Sequence, residues 1–505
     1  MKIRRIYNKE WLDFHPYHNT DSVDLYYVNL ANKVKKTFLE VLGCNPYDYE
    51  ESLDELACML TAWFEDVISP LGIWKAFTTE CEKVYGTKLP FYDLTEEYYP
   101  DEINVQDIKF LLWLHLQILY KDKKIADPFS PHVSELADAL YRVFDAEYET
   151  APENERMQQF LTQNLEEEGR FIGFRNILQW FHTQCYLSLD NKKELAKDLE
   201  KEMKEYRDFG PQDMVMACYT ATMTDIFSRY SNLLGMTTPE WMSRIFTTEP
   251  LKTLARELKF VGLHEFLIEA EDDKYVHLIQ CDEDGRRRFK MLKSSIESHR
   301  LPKDTVLGSR CFTSLVLFDG EYMQNGSLMI SGPKPDNDAV IEEANELEQH
   351  PEREATANTE PRPDNGFVAA TGGKGYAFFR TKDEAREFFH QNMPWCKEDG
   401  LNKWVLSVIL RPSICIYDEN YGLVTMPVAE YLKVPDNPYY KEAPDNLSRA
   451  ITLLCGRNDI PYSVVCKMNK LGLLDCARHH FFTGTDEELR KHNQFIIDYF
   501  YHQHQ

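Results

Sequence analysis

Residues 264–292 read HEFLIEAEDDKYVHLIQCDEDGRRRFKML, and the period within this stretch decides the fold. Phe266, Ile268, Tyr275, His277 and Ile279 recur in steps of two, the spacing of strands with two distinct faces. Asp272-Asp273 and Asp284-Gly285 supply tight turns. The second is a strong hairpin signal, because Asp-Gly tolerates the positive φ that two-residue hairpin loops require. Residues 286–292 are then the returning strand. Further on, Leu301-Pro302-Lys303-Asp304 is a turn, residues 311–318 a strand, Asp319-Gly320 another hairpin turn, and residues 321–330 one or two more strands. About five short strands in this space predict a small β-barrel of the SH3 or OB kind over residues 264–332.

Upstream the period is that of helices. Leu56, Ala57, Leu60, Trp63, Phe64, Val67 and Ile68 fall on one helix face, and Pro70 and Gly72 end it. Helices are predicted over 74–85, 105–120, 132–147, 153–167, 171–188, 191–206 and 212–233. Residues 110–114 are apolar all round, which places the third helix in the middle of a bundle. The expected organisation is an all-helical domain over 1–235, a helical bridge over 236–263 and the barrel. An acidic, Pro-containing linker over 333–365 follows, with a short helix at 338–349. Residues 366–505 read as an α+β domain. There Thr381 to Glu384 opens a helix as a capping box, residues 404–410, 413–417 and 422–426 are strand-like, and helices cover 446–455, 463–470 and 486–501. The fold class is multidomain α+β.

Composition narrows the function. The 505 residues carry 83 acids against 57 bases, a net charge of −26, so a phosphate backbone is repelled except at a locally basic face. Twelve cysteines without a C-x-x-C pair read as free thiols in a reducing cytosol. The richest apolar run, 110–119, falls far short of the about twenty residues that cross a bilayer. The expectation is a cytoplasmic protein with no membrane contact.

The opening Ile6-Tyr7, Lys9-Glu10-Trp11-Leu12, His15-Pro16-Tyr17 and Asp24-Leu25-Tyr26-Tyr27 resembles a family of long proteins from Bacteroidetes known only as a domain of unknown function. The resemblance reaches Asp436 to Tyr440 and implies no activity, so it transfers no catalytic residue.

The clearest candidate site is the basic hairpin Arg286, Arg287, Arg288 and Lys290, with Lys293 nearby. On a barrel, alternate bases share one face while Phe289 points to the other, and a cationic barrel face can hold a phosphate backbone. Asp282, Glu283 and Asp284 stand ready to neutralise those bases across the hairpin, which is the blander reading. Thr371 to Gly375 lacks phosphate-loop spacing and reads as a turn or hinge. His15, His18, Glu387 with His390, and Cys476 with His479 and His480 lack the converging partners of a metal site, and His115 reads as a satisfied core histidine. Phe91-Tyr92, Tyr98-Tyr99 and Tyr439-Tyr440 read as packing aromatics. No nucleophile or dinucleotide motif is present. The leading expectation is a non-enzymatic binding or adaptor protein with a protein partner and no cofactor or metal. The alternatives are nucleic-acid binding through the barrel hairpin, and a hydrolase or transferase with dispersed residues in the C-terminal domain.

Overall fold

A computed structural model of the chain describes residues 4–43, 50–120, 125–163, 170–205, 207, 210–281, 286–296, 301, 305–349, 366–394, 405–443, 446–455, 460–475 and 485–502. The architecture is mixed α+β: helices first, a closed five-stranded barrel in the middle, and a small sheet with helices at the end.

The helices run α1 Asn8–Leu12, α2 Ser22–Leu42, α3 Glu50–Ile68, α4 Ile73–Tyr85, α5 Val105–Tyr120, α6 Pro131–Tyr148, α7 Glu155–Thr162, α8 Arg170–Gln184, α9 Leu189–Glu205, α10 Pro211–Ser228, α11 Thr238–Ile245 and α12 Glu249–Glu257. Their ends follow local chemistry. Asp21 caps α2 by accepting from Val23 N (2.8 Å) and Asp24 N (3.1 Å), while Asp24 accepts from Asp21 N in return. Helix α10 stops at Ser228, five residues short of its predicted end, because the chain turns to pair Tyr230 with Thr237. As its all-round apolar pattern predicts, α5 is buried from Phe110 to Leu114. No single described helix is long and apolar enough to cross a membrane. The pair Ser52–Ile68 and Ile73–Tyr85 passes together by length and composition, but it bends by 90° and is largely buried in the core.

The barrel strands are β1 Lys259–Glu271, β2 Tyr275–Gln280, β3 Arg288–Leu292, β4 Ser309–Phe318 and β5 Glu321–Pro333. They close in the order β1-β2-β3-β5-β4, with every pair antiparallel except β3 with β5. That order is the OB kind of Greek-key barrel, which settles the choice the sequence left open. Strand β1 begins at Lys259, five residues before the predicted start, and a bulge between Phe260 and Gly262 shifts its register. Asp319 (φ 53°) and Gly320 (φ 79°) make the predicted hairpin turn between β4 and β5. The Asp284-Gly285 and Pro302-Lys303-Asp304 turns lie outside the described residues. Gly326 lets β5 approach α10, since a Cβ there would stand 3.3 Å from the Thr220 Cα. Ser327 N donates to Thr220 Oγ1 and Asn325 Nδ2 to Met223 O across that contact.

Helix α13 Asn337–Gln349 follows, as expected within the acidic segment; residues 350–365 of that segment are outside the described residues. Then come α14 Phe367–Ala370, β6 Tyr376–Phe379, α15 Lys382–Asn392, β7 Ser413–Asp418, β8 Gly422–Met426, α16 Asn446–Cys455, α17 Tyr462–Lys470 and α18 Asp486–His502. Of the strand predicted over 404–410, residues 406–408 form a 3-10 turn instead. Spacing by three suits that turn, which buries Leu406 and Ile409 together against Phe389 and Cys415. The core ignores sequence distance. Phe495 of α18 lies among Phe91, Phe110 and Trp113 at 5.3, 6.0 and 5.7 Å, and Tyr499 meets Trp113 at 5.6 Å.

Buried carboxyls give this core a pH dependence. Burial pushes Asp107 up to about 7, against hydrogen bonds from Tyr98 and Asn104. Burial likewise pushes Asp66 up to about 6, against donors from Tyr186, Trp74 N and Ile73 N. A carboxyl whose folded pKa exceeds its unfolded value holds more protons when folded, so its contribution to stability falls as pH rises between the two. For Asp107 that window runs from about pH 4 to about pH 7. Asp107→Asn keeps the shape and the acceptor for Tyr98 without the charge. Urea unfolding should therefore show the variant gaining on the wild type as pH rises from 4 to 8. An equal difference at both pH values would contradict this.

Candidate functional site

The barrel interior is filled by Phe266 and Ile268 of β1, Val276 and Leu278 of β2, and Phe289 and Met291 of β3. Strand alternation carries the same inward face to His264 and Gln280 at one end of the barrel. There the filling stops, and a cavity of about 650 Å³ opens. Its floor is polar: Gln280 Nε2 meets His264 Nδ1 at 3.3 Å, and His264 Nε2 donates to Val261 O at 2.8 Å. Since that carbonyl only accepts, the proton sits on Nε2. Phe289 and Tyr322 form an aromatic wall, with ring centroids 5.1 Å apart and edges to faces. Lys259, Arg286, Arg287 and Arg288 make a cationic rim.

The opposite lip comes from α13. Val340, Ile341 and Ala344 pack on the outward-facing Leu267 and Ile279, which brings Leu347 and Glu348 to the opening. Arg286 Nε binds Glu343 at 2.7 Å. Arg288 bonds Glu269 (3.1 Å), Glu348 (3.0 Å) and Asn345 (2.7 Å). Among the described residues, acids of α13 and β1 pair with these arginines; Asp282 to Asp284 lie outside the described residues. Of the five bases singled out in the sequence, the structure gathers Arg286, Arg287 and Arg288 at the mouth. Lys290 is exposed further along β3 and does not line the cavity. Lys293 opens the 3-10 turn that follows β3 and does not line the cavity; it is bonded to Glu271 (2.6 Å) and Asp272 O (2.9 Å). Lys259, His264, Gln280 and Tyr322 were not among the site residues singled out in the sequence. Counting in twos back from Phe266 reaches His264, but nothing local marks where the interior filling ends.

Other constellations resolve into structure. His15, buried, meets Trp11 O at 3.0 Å with one ring nitrogen and Glu65 Oε2 at 2.8 Å with the other, an arrangement that favours the imidazolium. Burial presses its pKa down, but Glu65 more than offsets this and the value is raised. Asn154 bonds Glu65 and Tyr17, Trp11 and Tyr17 bond Asp24, and Arg156 lies 3.5 Å over the Tyr17 ring. The opening residues of the resemblance therefore tie α1, α2, α3 and α7 together. A further arrangement, unseen in the sequence, sets His182 between Thr238 Oγ1 (2.9 Å) and Asp225 (2.7 Å). It looks like a nucleophilic triad, yet Thr238 and His182 are both buried, which closes them to a substrate in this structure. His115 is only half satisfied: Nε2 meets Glu55 at 3.3 Å, and buried Nδ1 has no partner among the described residues. Burial pushes the thiols of Cys281, Cys311 and Cys415 up to about 11, 12 and 12, which disfavours them as nucleophiles. Lys374 pairs with Asp436, and Gly375 N donates to Thr371 Oγ1 within the glycine turn. Phe91, Tyr92 and Tyr98 pack as expected, Tyr92 donating to Pro128 O. Among the described residues no group of three or more His, Cys, Asp or Glu is placed to hold a metal; Cys476, His479 and His480 lie outside them.

Fold and site together define a helical protein that carries an OB-type barrel with an open, cation-rimmed mouth. The chain belongs to the family described as Protein of unknown function (DUF3843), whose profile matches residues 5–297. That span covers the His15 network, β1 to β3 and the arginine rim, and it leaves out Asp436 to Tyr440. No curated protein and no solved structure matches the chain.

Proposed function

We propose that this is a non-enzymatic binding protein whose barrel mouth holds a phosphate-bearing chain, single-stranded nucleic acid. One observation carries the reading: four cations rim a cavity of about 650 Å³ whose wall is aromatic and whose floor offers an amide and an imidazole. Mouths of barrels are common ligand sites, aromatic faces stack bases, and arginines meet phosphates. Against a net charge of −26, affinity would depend on this local face. A protein partner presenting an acidic segment is the second reading, favoured because the rim already grips an acidic helix of its own chain. The proposal extends to a bacterial source in Bacteroidetes and a cytoplasmic location. The opening motif supports the first, and the nine described cysteines, all free, support the second.

Fluorescence anisotropy with a labelled oligothymidine tests the primary reading. Affinity should fall steeply between 50 and 300 mM salt. Arg286→Glu/Arg287→Glu/Arg288→Glu should abolish binding. Neutral substitutions should lower the logarithmic salt slope by about 2, at roughly 0.7 per phosphate contact on a single strand. Undetectable or salt-insensitive binding would contradict it.

A further inference from the structure

We infer that α13 is a built-in competitor that occupies the rim until an anionic ligand displaces it. This deepens the barrel-mouth reading and rests on it. Helix α13 carries Asp338, Glu342, Glu343, Glu346 and Glu348 and no base. Acids in its last turns oppose the helix dipole, which favours cations at that end. Their compensation comes from the barrel, through Glu343 to Arg286 and Glu348 to Arg288. These carboxylates bind the guanidinium groups that a phosphate would use, and Glu348 lies at the opening itself. The apolar footing is small, with Val340, Ile341 and Ala344 on Leu267 and Ile279. The N-terminal end is held more firmly, by Arg310 bonds to Asp336 (3.0 Å) and Asn337 (2.7 Å) and by Asn337 to Gly308 O (2.6 Å). A helix pinned at one end and held by exposed ion pairs at the other is built to swing from its C-terminal end. Such pairs are individually weak and weaken further with salt.

The test uses the full chain and the same oligothymidine. Glu343→Gln/Glu348→Gln should bind about tenfold tighter than the wild type. Glu342→Gln, which removes one charge from an exposed α13 position away from these pairs, should stay within about twofold. Hydrogen exchange of α13 amides should accelerate when oligothymidine binds the wild type. If the double variant and wild type bind alike, or α13 stays protected in the complex, the competitor role is overturned and the barrel-mouth reading stands. If none of the proteins binds, both fall.

Discussion

Removing α18 should unfold the helices that precede the barrel. Phe495 sits within 6.0 Å of Phe91, Phe110 and Trp113, all buried, and Tyr499 packs on Trp113. Tyr85 Oη donates to Asp498 at 2.8 Å, fixing the depth of the helix. Truncating one buried aromatic to alanine typically costs about 3–5 kcal/mol, while a whole domain is stable by about 5–15 kcal/mol. Losing Phe495 and Tyr499 together therefore consumes most of that margin, before Ile496, Ile497 and Phe500 are considered. A chain ending at residue 485 should lose cooperative thermal unfolding of its helices by circular dichroism. Phe495→Ala in the full chain should lower stability by about 3–5 kcal/mol. Retention of the wild-type transition by the truncated chain would contradict the shared core.

Glu65→Ala should be nearly as damaging. Glu65 joins His15 (2.8 Å) and Asn154 (2.8 Å) at a site closed to solvent. Without it His15 loses its hydrogen-bonded carboxylate and the Asn154 Nδ2 group keeps only Tyr17, and breaking a buried pair at one end typically costs about 3–5 kcal/mol. Glu65→Gln keeps the shape and should cost less. The raised pKa of His15 adds a sign. Its contribution to wild-type stability is full below about pH 6.5 and is lost as pH rises through the folded value. Denaturant unfolding should thus give a Glu65→Ala deficit that is larger at pH 6 than at pH 9. An unchanged deficit would argue that His15 is neutral in the folded state.

What could be read from the chain, and what could not, follows from the range of the interactions. Helix α5 was legible to the residue because its apolar period is local. The β4–β5 hairpin was legible because Asp319-Gly320 suits positive φ at both positions. The early start of β1 was hidden by the bulge at Phe260 and Gly262, which breaks the count in twos. Leu406 and Ile409 misled because a spacing of three on a short apolar run suits a 3-10 turn as well as an irregular strand. Phe495 meeting Trp113 is a contact between distant segments that no local pattern announces. The site was half legible. A run of three arginines stands out in any sequence, but the partners Glu343 and Glu348 lie more than fifty residues away, on a helix whose docking depends on Val340 and Ala344. His264 and Gln280 become a floor only once the barrel closes.

Photocrosslinking with an oligonucleotide carrying bromodeoxyuridine, followed by mass spectrometry of the crosslinked peptides, tests the barrel mouth most directly. The expected attachment is to Tyr322, Phe289 or His264, lost when Arg286, Arg287 and Arg288 become glutamate. Crosslinks confined to another surface, or none at concentrations well above the measured Kd, would contradict the account.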